Sequence, residues 1–519
     1  VTASDRPDIL VVIADQLTTS AMPFHGNAVT QAPAMSALAE TGVVFDNAYT
    51  PSPLCTPARA SLMTGRLPSR THAYDNAAGF SSELPTFAHH LRAAGYRTVL
   101  AGKMHFCGPD QLHGFEERLT TDIYPADYDW TPDWESVERP HWYHDMSSVT
   151  DAGVCVRTNQ LDFDDEVAYA AERGLFEHVR SGDERPFFFT VSFTHPHDPY
   201  AITQEYWDRY RDEDIPMPTH GYDPSLVHPH EERLRKVCAM DEVEITTEMV
   251  RDARHAYLGA ISFVDDRLAR LIDVLRVTGR LDNTVVILTS DHGDMQGERG
   301  LWYKMSFFEG SVRVPLVVSA PGRFTPSRVA SPVSTMDLLP TLVGLTGGDV
   351  DALGDDLDGE SLLPLLAGEH DDRQVVVAEY LAEGAVAPIV MIRRGSWKLI
   401  HSPADPDQLF DLSVDPLERH DLAGEPAAAG VLSELRAEVA ARWDLPRIDR
   451  EVRESQRRRR IVGEALSRGR ETSWDFAPAY DASRRYIRNH MDLGDLEAMA
   501  RYPSVRRDAE AEVETRPEP

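Results

Sequence analysis

Cysteine is scarce: Cys55, Cys107, Cys155 and Cys238 are all that 519 residues contain. Their spacings match neither a disulfide framework nor the paired ligands of a zinc site, so reduced, mostly buried thiols are expected for three of them. Basic residues are also in short supply. Lys and Arg number 52 against 85 Asp and Glu, a formal charge of −33. That balance excludes nucleic acid as a partner, because phosphate binding needs cations to displace counterions. It favours cationic over anionic partners, although an acidic surface also serves solubility alone. No run approaches the ~18 apolar residues of a membrane span. Val1–Asp8 has neither a basic region nor the apolar core of a secretory leader. No membrane association and a cytoplasmic location are therefore expected.

What is present is an ordinary globular composition, 42% hydrophobic and 26% charged, in a chain long enough for a large core and a second, smaller unit. Apolar, β-rich runs at Asp8–Ala14, Arg97–Ala101, Phe187–Thr194, Thr284–Ser290, Val314–Ala320 and Gln374–Ala378 alternate with helical stretches. Such a pattern predicts an α/β fold with a parallel sheet covered on both faces. Pro85–Ala94 and Ala256–Val277 read as the longest helices, the first opened by Pro85 and closed by Gly95. Polar clusters follow four of the runs: Asp15-Gln16, Lys103 with His105, His195 with His197, and Asp291-His292. Ligands bind at the carboxyl ends of strands in open α/β sheets, so the four clusters are expected to converge. After about residue 375, short strands at Val390–Ile392, Trp397–His401 and Gln408–Leu412 suit a small antiparallel unit, with a helix over Glu425–Trp443 packed on it. The run Arg457–Arg460 reads as a solvated helix face, and the aromatic, polar stretch around Ser473–Glu497 as an arm that packs on the body or on a neighbouring subunit.

The most informative segment is Leu54-Cys55-Thr56-Pro57-Ala58-Arg59, continuing to Thr64-Gly65-Arg66. Pro57 suits the first turn of a helix, so backbone amides near Cys55 would face whatever Cys55 holds, and that helix end favours anions. Arg59, a turn further on, could neutralise charge at the nucleophile. This segment resembles the sulfatase signature, Cys-x-Pro-x-Arg followed by Thr-Gly-Arg. The likeness continues through Gly102-Lys103-Met104-His105, Pro196-His197-Asp198-Pro199, Ser290-Asp291-His292-Gly293, Gly300-Leu301-Trp302-Tyr303-Lys304, Leu409-Phe410-Asp411-Leu412 and Asp415-Pro416-Leu417-Glu418, in the family's order.

The resemblance implies an alkaline-phosphatase-like sandwich: a large, mostly parallel sheet between helices and a smaller C-terminal antiparallel sheet. It implies that a maturation enzyme converts Cys55 to Cα-formylglycine, whose hydrated aldehyde supplies the nucleophilic oxygen and whose second hydroxyl lets the sulfated intermediate collapse. Arg59, Lys103 and Lys304 would be the cations around sulfate, His197 with Lys304 would protonate the leaving alcohol, and His105 would deprotonate the second hydroxyl. Asp15, Gln16, Asp291, His292 and residue 55 would hold the metal, calcium by resemblance. Gln16 and His292 stand where Asp and Asn are usual, so the set has one carboxylate fewer, which leaves manganese or magnesium open.

Among sulfatases the likeness is closest to choline sulfatases, carried by Ala14-Asp15-Gln16-Leu17-Thr18, by the run from His105 to Asp122, and by Arg488-Asn489-His490-Met491-Asp492-Leu493. It implies choline sulfate, a small cationic ester, as substrate. Asn76 would contact the sulfate, and Trp130, His144, Glu383 and Asp495 would surround the quaternary ammonium. The expected organisation is a catalytic unit over 1–375, an antiparallel unit over 376–445, and a tail over 446–519 that joins a homo-oligomer, dimer or tetramer, and closes a neighbour's pocket. The rival readings are a phosphonate monoester or phosphodiester hydrolase of the same superfamily and, if Cys55 stays unconverted, a non-catalytic binding protein.

Overall fold

The structure, a computed structural model, describes residues 6–139, 143–348, 357–369, 373–470, 473–479, 481, 486–488 and 491–503. Its main sheet has eight strands: β1 (Asp8–Ala14), β2 (Val43–Phe45), β3 (Arg97–Gly102), β4 (Glu117–Arg118), β5 (Phe187–Phe193), β6 (Thr284–Thr289), β7 (Leu316–Ser319) and β8 (Ser327–Val329), in the order β8-β2-β7-β6-β1-β5-β3-β4. The central run β6-β1-β5-β3 is parallel, and β7 alone runs antiparallel to both its neighbours.

Because successive side chains on a strand point to opposite faces, a strand buried on both faces needs an unbroken apolar run. In β1, Leu10, Val12 and Ala14 enter one core, and Ile9, Val11 and Ile13 enter the other. Helices Asn159–Arg180 and Thr247–Val277 cover the first face. Cys55–Thr64, Phe87–Ala93 and Leu338–Leu345 cover the second. Each fully buried Leu, Ile or Val contributes about 1.5–3 kcal/mol, so this double layer fixes the strand ends on which the polar clusters sit.

Several sequence expectations are corrected. The run Gln374–Ala378 does not join the parallel sheet: Val375–Tyr380 (β9) is the first strand of a separate antiparallel sheet with Ile389–Arg394 (β10), Trp397–Ser402 (β11) and Asp405–Asp411 (β12). The Pro85 helix is short, Phe87–Ala93, because Thr86 and not Pro85 caps it. Two longer helices were hidden by their charge, Asn159–Arg180 and Leu445–Leu466. In the second, the stripe Leu445, Ile448 and Val452 is continued by buried Gln456 and Arg459, so the arginine run is not simply a solvated face. Helix Ala429–Arg442 buries Leu432, Leu435 and Val439 where the sequence placed a helix.

The tail touches the body of its own chain: Asp475 Oδ1 accepts from the Ala126 amide (3.2 Å), and the Trp474 ring meets Tyr128 edge-on at 5.2 Å. Asn489 and His490 of the tail motif lie outside the described residues. Among the described residues no helix is long and apolar enough to cross a membrane.

Candidate active site

The four polar clusters follow β1, β3, β5 and β6, which are neighbours in the sheet, so their side chains meet. Two glycines make the approach possible. A Cβ on Gly102 would lie 2.0 Å from the Ser192 carbonyl oxygen, and one on Gly293 would lie 2.1 Å from that of Gly310. The chain can therefore cross its neighbours at Gly102-Lys103 and His292-Gly293 only without a side chain.

Cys55 is the first residue of the nucleophile helix, Cys55–Thr64, all of whose residues are buried. No side chain of Leu54 caps that end. Instead the Thr56 amide donates to Asn76 Oδ1 (3.0 Å). Cys55 Sγ lies 3.2 Å from His292 Nε2, and Lys103 Nζ donates to it at 3.6 Å. Arg59 does not reach the thiol. Its Nε donates to Asp291 Oδ2 (2.9 Å) and its Nη2 to Asp15 Oδ2 (3.1 Å), while Nη1 donates to the Lys103 carbonyl and to Ser192 Oγ. Arg59 thus aligns the two carboxylates, leaving Asp15 Oδ1 without a hydrogen bond 3.7 Å from His292 Nε2, while Asp291 Oδ1 accepts the Gln16 and His292 amides.

Asp15, Cys55, Asp291 and His292 have ligand atoms all within 4.8 Å of one another. Asp15 Oδ1 is buried with no hydrogen-bond partner, a costly state for a carboxylate oxygen unless a cation meets it. His292 Nδ1 is 3.1 Å from the Gly293 carbonyl, which directs Nε2 into the cluster. These residues fit a hard divalent cation. Burial opposes ionisation of Asp15, but the neighbouring cations, Lys103 first and Arg59 with it, hold its carboxyl well below the usual range. Lys103 pairs with that carboxylate and lies 4.4 Å over the Tyr124 ring. Gln16 is held elsewhere in part: its Oε1 accepts from Lys304 Nζ (2.7 Å) and its Nε2 donates to Asp294 (2.6 Å). A second lone pair on Oε1 remains for an ion.

Across the cluster, Lys304 Nζ lies 2.6 Å from His197 Nε2, and His197 Nδ1 lies 2.7 Å from the Asp198 carbonyl. Burial and the Lys304 charge push the His197 ring well below its ordinary value, so the imidazole is neutral and accepts from the ammonium. The pair shares a proton suited to a leaving oxygen. His105 is buried, and neither ring nitrogen has a partner. Its backbone amide is fixed by Asp122 (2.8 Å).

A cavity of about 360 Å³ opens onto these groups, lined by Cys55, Asn76, His105, Trp130, His144, His197 and Lys304, among others. Three of the residues assigned to substrate, Asn76, Trp130 and His144, are therefore present. Glu383 does not line the cavity. It is buried (2% exposed), both carboxylate oxygens lack a hydrogen-bond partner, and its charge bears on Tyr143, which does line it. Asp495 is exposed on the helix Leu493–Ala500 and does not line the cavity of its own chain. Sequence reading gave no role to Asp198, whose carboxylate accepts from Ser148 and Gln16 and pairs with His144. It also missed Tyr124 and Asp294. Asp198 stood within the quoted Pro-His-Asp-Pro motif; nothing in the sequence singled out Tyr124.

The chain's lysines are Lys103, Lys236, Lys304 and Lys398. In so acidic a protein, burying two of the four beside Cys55 and the cavity, Lys103 at the thiol and Lys304 in the cavity lining, makes a local trap for an anion. Sheet, cation cluster and proton-sharing pair together define a hydrolase of the alkaline phosphatase superfamily that acts on anionic esters. A sulfatase family model matches residues 7–348, so the chain belongs to the sulfatase family and is a sulfuric ester hydrolase. Models described as "Choline sulfatase enzyme C terminal" and "N-sulphoglucosamine sulphohydrolase, C-terminal" match residues 450–502 and 297–443. A choline-sulfatase of Rhizobium meliloti is 49% identical over 507 residues, covering 96% of this chain and 99% of the relative. The multifunctional alkaline phosphatase superfamily protein PehA of Trinickia caryophylli is 27% identical, covering 86% and 96%. The solved phosphonate monoester hydrolase of Agrobacterium radiobacter shares the fold, with a TM-score of 0.69 at 24% identity, covering 84% of this chain and 95% of that one.

Proposed function

We propose that the chain hydrolyses choline sulfate to choline and sulfate with a formylglycine made from Cys55 and a divalent cation, calcium or, given the His292 ligand, manganese or magnesium. The observation that carries this is the position of Cys55 Sγ, at the start of a buried helix between His292 Nε2 (3.2 Å) and Lys103 Nζ (3.6 Å). The full-length likeness to a choline-sulfatase supports the substrate.

Asp15, Asp291, His292, Gln16 and residue 55 would hold the cation, which supplies Lewis-acid polarisation of the nucleophile and of the sulfate oxygens. The converted side chain, a hydrated aldehyde, supplies one oxygen to attack sulfur and a second hydroxyl for the later collapse. Lys103 and Lys304 neutralise sulfate oxygens. As the ester S–O bond breaks, the proton shared by Lys304 and His197 passes to the alcohol oxygen. His105, with both nitrogens unpartnered, takes the proton of the second hydroxyl so that sulfate leaves and the aldehyde returns. An activity screen over choline sulfate, aryl sulfates and phosphonate monoesters tests the reading. Choline sulfate should be the preferred substrate, and a preference for phosphonate esters would replace it with the rival superfamily activity.

A quaternary ammonium donates no strong hydrogen bond, so an aromatic face and unpartnered carboxylates suit it. Trp130 would contribute roughly 1–2 kcal/mol through its ring. Burial, reinforced by the charge of Asp75, pushes Glu383 up to about 8. Below that pH the carboxyl is neutral, and above it the ionised form attracts the cation across Tyr143. The KM for choline sulfate should therefore fall as pH rises from roughly 7 to 9, while the KM for an aryl sulfate, which has no cationic group, follows no such trend. Glu383→Gln should remove the difference, and parallel profiles for the two esters would refute it.

Asp495 would reach this cation from a neighbouring subunit of a homo-oligomer, which the exposed tail helix permits. Asp495→Asn should raise the KM for choline sulfate about tenfold and leave that of an aryl sulfate unchanged. An equal rise for both esters would count against a role at the ammonium.

A further inference from the structure

Of the four consecutive arginines Arg457–Arg460, one is buried. Arg459 is 6% exposed and grips Asp75, itself fully buried, through two parallel bonds, Nη1 to Oδ1 (2.7 Å) and Nη2 to Oδ2 (2.6 Å). Nη1 also donates to Thr131 Oγ1 (3.2 Å), beside Trp130. Asp75 closes a tight turn: its Oδ1 accepts the Ala77 amide (3.0 Å) and its carbonyl accepts the Ala78 amide (3.0 Å). Asn76 sits inside that turn. Its Oδ1 is taken by the Thr56 amide next to Cys55, so the NH2 end is what Asn76 offers to the cavity it lines.

We propose that Arg459 is a positioning residue: by locking the Asp75 turn it aims the Asn76 amide at the sulfate and fixes the start of the nucleophile helix. The planar fork of an arginine suits this task because two bonds set the orientation of a carboxylate, whereas an ammonium sets only its distance. The rest of the helix holds the same wall. Gln456 Oε1 accepts the Trp134 amide (3.3 Å), Arg453 Nη2 donates to the Val386 carbonyl (2.5 Å), and Trp134 Nε1 donates to the Ala382 carbonyl (2.9 Å), next to Glu383. The matched C-terminal segment 450–502 thus acts on the active site within one chain, separately from any contribution to a neighbour. This role rests on the reading of Asn76 as a sulfate donor.

The test is a double-mutant cycle on metal-loaded enzyme of checked conversion, run on whichever ester the wild type turns over best, so that it reads out even if that ester is a phosphonate. Arg459→Lys should lower kcat about tenfold with KM little changed, and Asn76→Ala should lower it about 10²-fold. The double variant should be no worse than Asn76→Ala alone, because the arginine has nothing left to position. Multiplied losses, on the order of 10³-fold, or wild-type turnover by Arg459→Lys would overturn the role. Should Arg459→Lys not fold, the neutral pair Asp75→Asn with Arg459→Gln enters the same cycle with the same expectations.

Discussion

Cys55→Ser should fold and bind its cation yet lose turnover by roughly 10⁴-fold or more. The side chain is 1% exposed and its contacts are polar, to His292 and Lys103, so a hydroxyl of similar size leaves the helix and the cluster in place. A serine oxygen can attack sulfur once. Its sulfate ester has no geminal hydroxyl for His105 to deprotonate, so the enzyme stops as a stable ester. Intact-protein mass after incubation with substrate should show the added sulfate. Repeated turnovers by this variant would rule out the aldehyde chemistry.

The second large effect separates cation from proton transfer. Asp291→Asn should lose metal and activity together, by on the order of 10²–10³-fold. The amide keeps an acceptor for the Gln16 and His292 backbone amides but removes a charge from a set with few carboxylates. Asn is the better probe than Ala because it keeps the side chain's volume and the acceptor for those two amides, whereas Arg59 Nε loses its Oδ2 acceptor in either variant. His105→Ala should instead retain metal, since its ring holds no hydrogen bond in the structure, and should accumulate sulfated enzyme. Equal metal content and equal trapped product in the two variants would show that the roles are not divided in this way.

The sequence carried the site further than the fold. Strand-end clusters are legible because burial on both faces forces an unbroken apolar run and the residues that follow it stand out as polar, as at Asp15-Gln16 and Asp291-His292. The pairing of β7 against its neighbours was not legible, since direction leaves no trace in a short apolar run such as Leu316–Ser319. The same limit placed Gln374–Ala378 in the wrong sheet. Arg457–Arg460 read as a solvated helix face because the buried stripe of helix Leu445–Leu466 ends in Gln456 and Arg459, and a buried arginine is distinguishable from a solvated one only by its partner, here Asp75, 384 residues away. Asp198 and Tyr124 escaped for a related reason: their work is to orient other side chains, which depends on distance and not on residue type.

In the proposed reaction residue 55, once its CH2SH group is oxidised to an aldehyde, is the nucleophile. The direct measurement is choline sulfate turnover per molecule of total protein against the fraction of residue 55 converted, read from peptide mass, across preparations made with different levels of maturation enzyme. A straight line through the origin is expected. Protein with unconverted Cys55 that hydrolyses the ester as fast as converted protein would contradict it.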